Sequence, residues 1–229
     1  MTHFTAANLL LLLMAYLLGA FPAGLLVGKM VKGIDVRDYG SGNIGASNVW
    51  RTMGPLWGIG VFLFDFCKGY IPTLLTTRMH VAGGNPVSPW LVVGVGLAAI
   101  LGHNFSPFLR FKGGKGVATS LGVVYGLSPE AAALGFLVWA VCLAITKYIS
   151  VSSIVAAVVT SIALVALHRD LPHALFALLV ALFVIVKHRA NLTRVKARTE
   201  PKVSFGRRKH ADALPQTAPE ETSRPEALK

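Results

Sequence analysis

Residues 116–127 read Gly-Val-Ala-Thr-Ser-Leu-Gly-Val-Val-Tyr-Gly-Leu and carry no charge. As an α-helix the segment is about 18 Å long at 1.5 Å per residue, against a bilayer core about 30 Å thick. It reads as a tilted or buried short span, or as a re-entrant piece, and the choice fixes the side on which the rest of the chain lies. On either side of it, Asn8–Gly28, Trp90–Gly102, Ala131–Thr146, Tyr148–Leu167 and Leu171–Val186 also lack Asp, Glu, Lys and Arg. Backbone groups in lipid must be satisfied within their own segment, so uncharged runs without β alternation become helices. One further segment, roughly Met53 to Thr77, is apolar apart from Asp65 and Lys68.

Charge placement decides for the short segment. With seven spans and the N-terminus outside, Lys29, Lys32, Arg37, Arg51, Arg110, Lys112, Lys115, Lys147 and the eleven basic residues from Lys187 onward share one side. The other side receives only Arg78 and Arg169. Removing the short segment from the count moves the eleven-charge tail outward, against the positive-inside bias. The expectation is an all-α membrane protein of seven transmembrane helices, N-terminus outside and C-terminus cytoplasmic.

Composition agrees. Charged residues make up 14% of the 229-residue chain, about half the roughly one-quarter of soluble domains. The net charge of +12 raises nucleic-acid binding, but most of it lies in loops and the tail, as membrane orientation requires; no nucleic-acid partner is expected. The first apolar run lacks a basic n-region and an A-x-A-like cleavage site, so it reads as a retained span. Cys67 and Cys142 sit inside apolar segments without CxxC spacing, and neither a metal nor a cofactor is expected. The membrane domain covers residues 1–202. Residues 203–229 form a tail, first basic and then, beyond His210, too poor in large apolar residues to order itself.

Three polar segments fall on the basic side. Gly40-Ser41-Gly42-Asn43-Ile44-Gly45-Ala46-Ser47-Asn48-Val49-Trp50-Arg51 has glycines dense enough for close backbone approach to a ligand. Successive N–H groups in such turns form an anion nest, with Ser41, Asn43, Ser47 and Asn48 as hydrogen-bonding groups and Arg51 as a fork for phosphate. Taken alone, it reads equally as a Gly/Ser loop between helices. Gly102 to Gly116 contains His103, Asn104, Lys112, Gly113, Gly114 and Lys115 and leads into a helix N-terminus, where free N–H groups favour an anion. It is not a Walker A sequence, because Leu109 and Gly116 stand where Gly and Ser or Thr are required. Lys112 and Lys115 are also compatible with simple positive-inside anchors. In Lys187-His188-Arg189-Ala190-Asn191, His188 and Asn191 are three apart and share a helix face.

Asp65 and Lys68 have i, i+3 spacing, which suits an ion pair fixing helix packing in a medium where isolated charges are costly. Direct substrate contact is the alternative. Tyr148, Ser150, Ser152 and Ser153 could add hydroxyls at the basic side.

Read together, GSGNIGASN-VWR, DFCKG, GHNFSPFLRFKGGKGVAT and KHRANLTRV followed by TEPK resemble the bacterial acyl-phosphate:glycerol-3-phosphate acyltransferases, the PlsY-type family, in order from about Tyr16 to Lys202. The resemblance implies a multi-pass protein of the bacterial cytoplasmic (inner) membrane with its active site on the cytoplasmic face. It also implies acyl transfer from acyl phosphate to the 1-hydroxyl of sn-glycerol 3-phosphate, giving lysophosphatidate and phosphate as the first step of phospholipid synthesis. The expected partners are these two substrates and membrane lipid. By the same resemblance Ser41, Arg51 and Lys112 or Lys115 contact phosphate, and His188 and Asn191 lie at the reaction centre. Ser47 stands where the family commonly has Thr.

An acyl phosphate already has a good leaving group, and no Ser-His-Asp pattern is evident. Clustered cations and backbone donors would hold two anionic substrates close and stabilise charge growing on the carbonyl oxygen and departing phosphate. His188 has a suitable unperturbed pKa for taking the hydroxyl proton; a donor phosphate oxygen could serve instead, with His188 orienting substrate, and this second route is preferred. A carrier of phosphorylated solutes would need a midplane site between repeats, and none is seen. The His-x4-Asp motif of thioester-dependent acyltransferases is missing, since Phe108 stands five residues after His103.

Overall fold

The computed structural model describes residues 5–80, 84 and 86–203, all in helices, turns and loops apart from a lone bridge between His80 and Pro86. The helices are α1 (Ala6–Ala20), α2 (Ala23–Lys32), α3 (Ala46–Met53), α4 (Pro55–Arg78), α5 (Pro89–Asn104), α6 (Val117–Leu127), α7 (Pro129–Thr146), α8 (Ile149–His168), α9 (Leu171–Lys187) and α10 (Arg189–Lys196). The tail expected over 203–229 lies, beyond Val203, outside the described residues.

Among the described residues, five apolar stretches are long enough to cross a bilayer: Ala6–Lys32, Pro55–Arg78, Pro89–Leu109, Pro129–Thr146 and Ile149–His168. Leu171–Lys187 and Arg189–Lys196, bent by 51° at His188, make a sixth when taken together. The protein is therefore an all-helical, multi-pass integral membrane protein with about five or six candidate spans. The seventh expected span is α6, whose eleven residues reach only about 17 Å. Side chains such as Leu9, Leu13, Leu63, Leu137, Ile162 and Leu178 are exposed, as suits helices whose outer faces meet lipid.

Helix pairs are held by small residues, since lipid supplies no hydrophobic drive between helices and packing must do so instead. A Cβ added at Gly19 would strike the Ala99 carbonyl, and one at Gly102 the Tyr16 carbonyl, so α1 and α5 touch backbone to backbone. Gly69 against Thr119 and Gly122 against Phe66 do the same for α4 and α6. Short α6 is thus carried by α4, and its buried Val123 and Val124 join Ile100, Leu164 and Phe176 in the main apolar core.

Pro22 breaks the first apolar stretch between α1 and α2, because it has no N–H to continue the ladder. The freed carbonyls must find donors in a buried setting. They do: Ser106 Oγ donates to Ala20 O at 2.6 Å and Lys68 Nζ to Phe21 O at 3.1 Å. The break thereby ties α1 to the second polar segment and to α4.

Candidate active site

The loop before α3 is built on one amide. Asn48 is fully buried; its Nδ2 donates to Val36 O at 2.8 Å, Tyr39 O at 3.1 Å and Asn43 O at 2.8 Å. Its Oδ1 accepts from Ser41 N at 2.7 Å and Ser41 Oγ at 3.1 Å. Gly40 and Gly42 turn through the left-handed region at φ 61° and 68°, where a Cβ costs most. Asn43 Oδ1 accepts from Gly45 N at 2.8 Å. Asn48, expected from sequence to bind phosphate, therefore spends its amide on the loop itself, while Ser41 and Ser47 remain exposed.

The second segment folds back on the end of α5. Gly113 N donates to Asn104 O at 3.2 Å and Gly114 N to His103 O at 3.1 Å. A Cβ at Gly114 would run into the His103 ring, which explains the glycine there. Beneath this turn, buried Asp65 pairs with buried Lys68 at 2.7 Å, and His103 Nδ1 lies 3.6 Å from the same carboxylate. The ion pair read from i, i+3 spacing is present, and it supports the glycine turn from below. Lys112 is exposed, whereas Lys115 turns inward.

The third segment bends at His188. Its Nδ1 lies 2.8 Å from Val184 O. A carbonyl only accepts, so Nδ1 carries the proton and Nε2 keeps the lone pair. Lys187 reaches Asn104 O at 3.3 Å and sits 4.5 Å above the Phe105 ring, clamping this segment to the second.

The segments meet at a carboxylate. Lys115 Nζ donates to Asn191 Oδ1 at 2.5 Å, and Asn191 Nδ2 donates to Glu200 Oε1 at 2.6 Å. Ser150 Oγ donates to the same oxygen at 3.0 Å, and Arg194 Nε to Oε2 at 2.8 Å. Arg51 feels the charges of both Glu200 and Arg194. Residues 200–203 lie across the start of α8 as a strap, with Val203 N donating to Lys147 O at 2.8 Å and Lys202 Nζ 5.3 Å from the Tyr148 ring.

Burial tunes these groups. It pushes Lys115 down to about 8, aided by Arg194 and Arg51 and opposed by Glu200. Burial also lowers Arg51. It acts to raise Glu200, but hydrogen bonds from Asn191, Arg194 and Ser150 outweigh it and hold that carboxyl below its usual range. The centre thus sets three cations, Arg51, Lys115 and Arg194, around one internal carboxylate, with the His188 imidazole beside them. Such a surplus of positive charge suits a bound phosphate. Among the described residues no serine or cysteine side chain is hydrogen-bonded to a histidine, so the geometry favours positioning of an anion over an activated nucleophile.

Residues 9–198 match the protein family described as glycerol-3-phosphate acyltransferase. The chain belongs to the glycerol-3-phosphate acyltransferase family. Among relatives of this acyltransferase, the glycerol-3-phosphate acyltransferase of Desulforudis audaxviator is 44% identical over 199 residues, covering 87% of this chain and 97% of that one. That of Geobacter sulfurreducens is also 44% identical, over 84% of this chain and 96% of its own. The fold is similar to a crystal structure of PlsY (YgiH), an integral membrane glycerol 3-phosphate acyltransferase, in its glycerol 3-phosphate form. That match has a TM-score of 0.81 and 38% identity, over 87% of this chain and 96% of that one. The lysophosphatidic acid form of the same protein matches with a TM-score of 0.78 and 37% identity, with the same coverage of each chain.

In the acyltransferase, then, Arg51, Lys115, His188 and Asn191, drawn from the three segments, converge with Ser150 of α8. Asn43, Asn48, Gly113, Gly114, His103, Asn104, Asp65 and Lys68 build the loops and their support. Ser153 accepts from Trp139 Nε1 at 3.3 Å instead. Sequence reading did not single out Glu200 or Arg194. The available signal was that Glu200 is the only acidic residue between Asp170 and Asp212.

Proposed function

We propose that the acyltransferase moves a fatty acyl group from acyl phosphate to the 1-hydroxyl of sn-glycerol 3-phosphate, releasing lysophosphatidate and inorganic phosphate. The observation that carries this reading is the junction of Lys115 with Asn191 beside Arg51 and His188. Two phosphorylated substrates repel each other, and a cationic cradle lowers that repulsion while fixing orientation. Arg51 and Lys115 hold the glycerol phosphate, and Ser41 with the exposed turn 40–42 adds donors. The hydroxyl oxygen attacks the acyl carbonyl carbon, the bond from that carbon to the bridging phosphate oxygen breaks, and phosphate leaves. A donor phosphate oxygen takes the hydroxyl proton. His188 orients the acceptor through Nε2, which is free to accept because Nδ1 is committed to Val184.

The acyl tail stays in lipid while its head reaches the basic loops. Seven spans, with α6 and α9 crossing once each, keep those loops on the cytoplasmic face of the inner membrane and the N-terminus outside, in line with the charge bias. The purified protein is given labelled glycerol 3-phosphate with acyl phosphate, acyl-coenzyme A or acyl-carrier protein in turn. Lysophosphatidate is expected from acyl phosphate; formation only from a thioester would overturn the donor. Near-normal turnover in His188→Ala would remove His188 from the mechanism. Arg51→Ala is expected to raise KM for glycerol phosphate, unlike Arg78→Ala.

A further inference from the structure

The far end of α8 carries a second cluster. His168 closes α8, Asp170 caps the start of α9 and His173 lies in its first turn. Counted from Ser150 at the catalytic centre, His168 is eighteen residues along the same helix, about 27 Å away at 1.5 Å per residue. The two groups are therefore separate sites.

The cluster is ordered. Asp170 Oδ1 accepts from His173 N at 2.9 Å, and Asp170 Oδ1 and Oδ2 lie 2.7 and 2.9 Å from His173 Nδ1. A carboxylate only accepts, so Nδ1 carries a proton and Nε2 of His173 is left with its lone pair. This is the carboxylate–histidine arrangement that fixes tautomer and ring direction for metal ligation. The His168 and His173 rings stack with centroids 3.9 Å apart and planes within 11°; a nitrogen lone pair lies in its ring plane, so a shared ion requires the more exposed His168 ring to turn out of this stack. One candidate donor atom from each of His168, Asp170 and His173 falls within 4.8 Å of the others. Around a tetrahedral ion with bonds of about 2.0–2.2 Å, ligand atoms stand about 3.4 Å apart. His173 is buried and His168 and Asp170 are only partly so, so closing the gap needs a side-chain rotation at the accessible positions. Glu130, at the start of α7 and held by Ser128 Oγ at 3.1 Å, adds negative potential at His168.

We propose that the turn joining α8 to α9 is a binding site for a divalent transition-metal ion of the zinc type, held by His168 and His173, with Asp170 orienting His173 and Glu130 adding negative potential. Imidazole nitrogen with carboxylate selects such ions over the harder Mg2+ and Ca2+, which take oxygen shells. The H-x4-H spacing of His168 and His173 lies in the range of the histidine half of zinc sites, but the sequence has no cysteine pair to go with it, and no metal was expected. The ion would pin α8 and α9 together at the end remote from catalysis, and its binding does not depend on the reaction assigned above.

The test uses the full-length protein in detergent, stripped of metal, with ZnCl2 and MgCl2 titrated by calorimetry. One Zn2+ per chain and no Mg2+ uptake are expected. Asp170→Asn should weaken zinc binding about 10–100-fold, the usual loss for an orienting partner. A His168→Gln/His173→Gln double variant should lose it, together with any zinc-dependent rise in thermal midpoint. His80→Ala should bind like the parent. Because catalysis lies at the other end, turnover retained by each variant certifies its fold. Absence of saturable zinc binding by the parent, or unchanged binding by the double glutamine variant, overturns the site.

Discussion

Lys115 and Asn191, 76 positions apart in the chain, share a hydrogen bond of 2.5 Å from Nζ to Oδ1. It closes the contact between the glycine turn before α6 and the bent end of α9. Lys115→Ala and Asn191→Ala are each expected to lower kcat/KM, and the double variant to lose less than their sum. The coupling should be about 0.5–3 kcal/mol, read from steady-state kinetics of all four proteins. Strict additivity would mean that the two act independently.

Lys115 titrates at about 8 instead of 10.5 because folding buries it. The charged form is therefore disfavoured in the folded protein; this cost to stability is complete below about pH 8 and disappears as pH rises towards 10.5. Substrate binding has the opposite sign, since phosphate needs the cation. KM for glycerol phosphate should rise as pH passes about 8. Lys115→Arg, charged throughout, should move that rise to higher pH. An unchanged profile in the arginine variant would assign the limb to another group.

Gly114→Ala places a methyl group into the His103 ring. Gly60→Ala meets nothing within 4 Å and serves as the comparison. The Gly114 variant should raise KM for glycerol phosphate severalfold by displacing Lys115, and the Gly60 variant should leave it alone. Equal behaviour of the two would show that the turn does not position the lysine.

Asp65 and Lys68 are both buried. Removing one partner strands the other charge, so Asp65→Ala should destabilise the protein by about 3–5 kcal/mol, whereas an apolar pair of similar volume is far better tolerated. Thermal unfolding in detergent of Asp65→Ala and of Asp65→Leu/Lys68→Met separates these outcomes. A double variant weaker than the single would contradict a purely structural pair.

The helical, membrane-embedded character and the Asp65–Lys68 pairing were legible because each depends on local pattern: uncharged runs for one, i, i+3 spacing for the other. The glycines around Ser41 and before α6 also announced tight turns. Roles fixed by distant partners were not legible. Asn48 reads as a free polar group until the carbonyls of Val36, Tyr39 and Asn43 are seen to consume it. Glu200 reads as one acid in a basic stretch, yet it gathers Ser150, Asn191 and Arg194. Seven spans were expected from charge placement, and the structure shows five or six candidates because α6 is short. α6 owes its place to close packing on α4, through Gly69 and Gly122, and its own length says little about depth.

The Asp65–Lys68 bridge also bears on how the chain enters the bilayer during synthesis. A nascent helix that presented either group alone would be a poor candidate for lateral release into lipid. One turn of helix lets the two travel as a neutralised couple. The lysine then trades part of that couple for the Phe21 carbonyl exposed by Pro22. The Pro22 break therefore offers an acceptor that the charged helix α4 needs, and the interruption of one apolar stretch becomes a point of attachment for another.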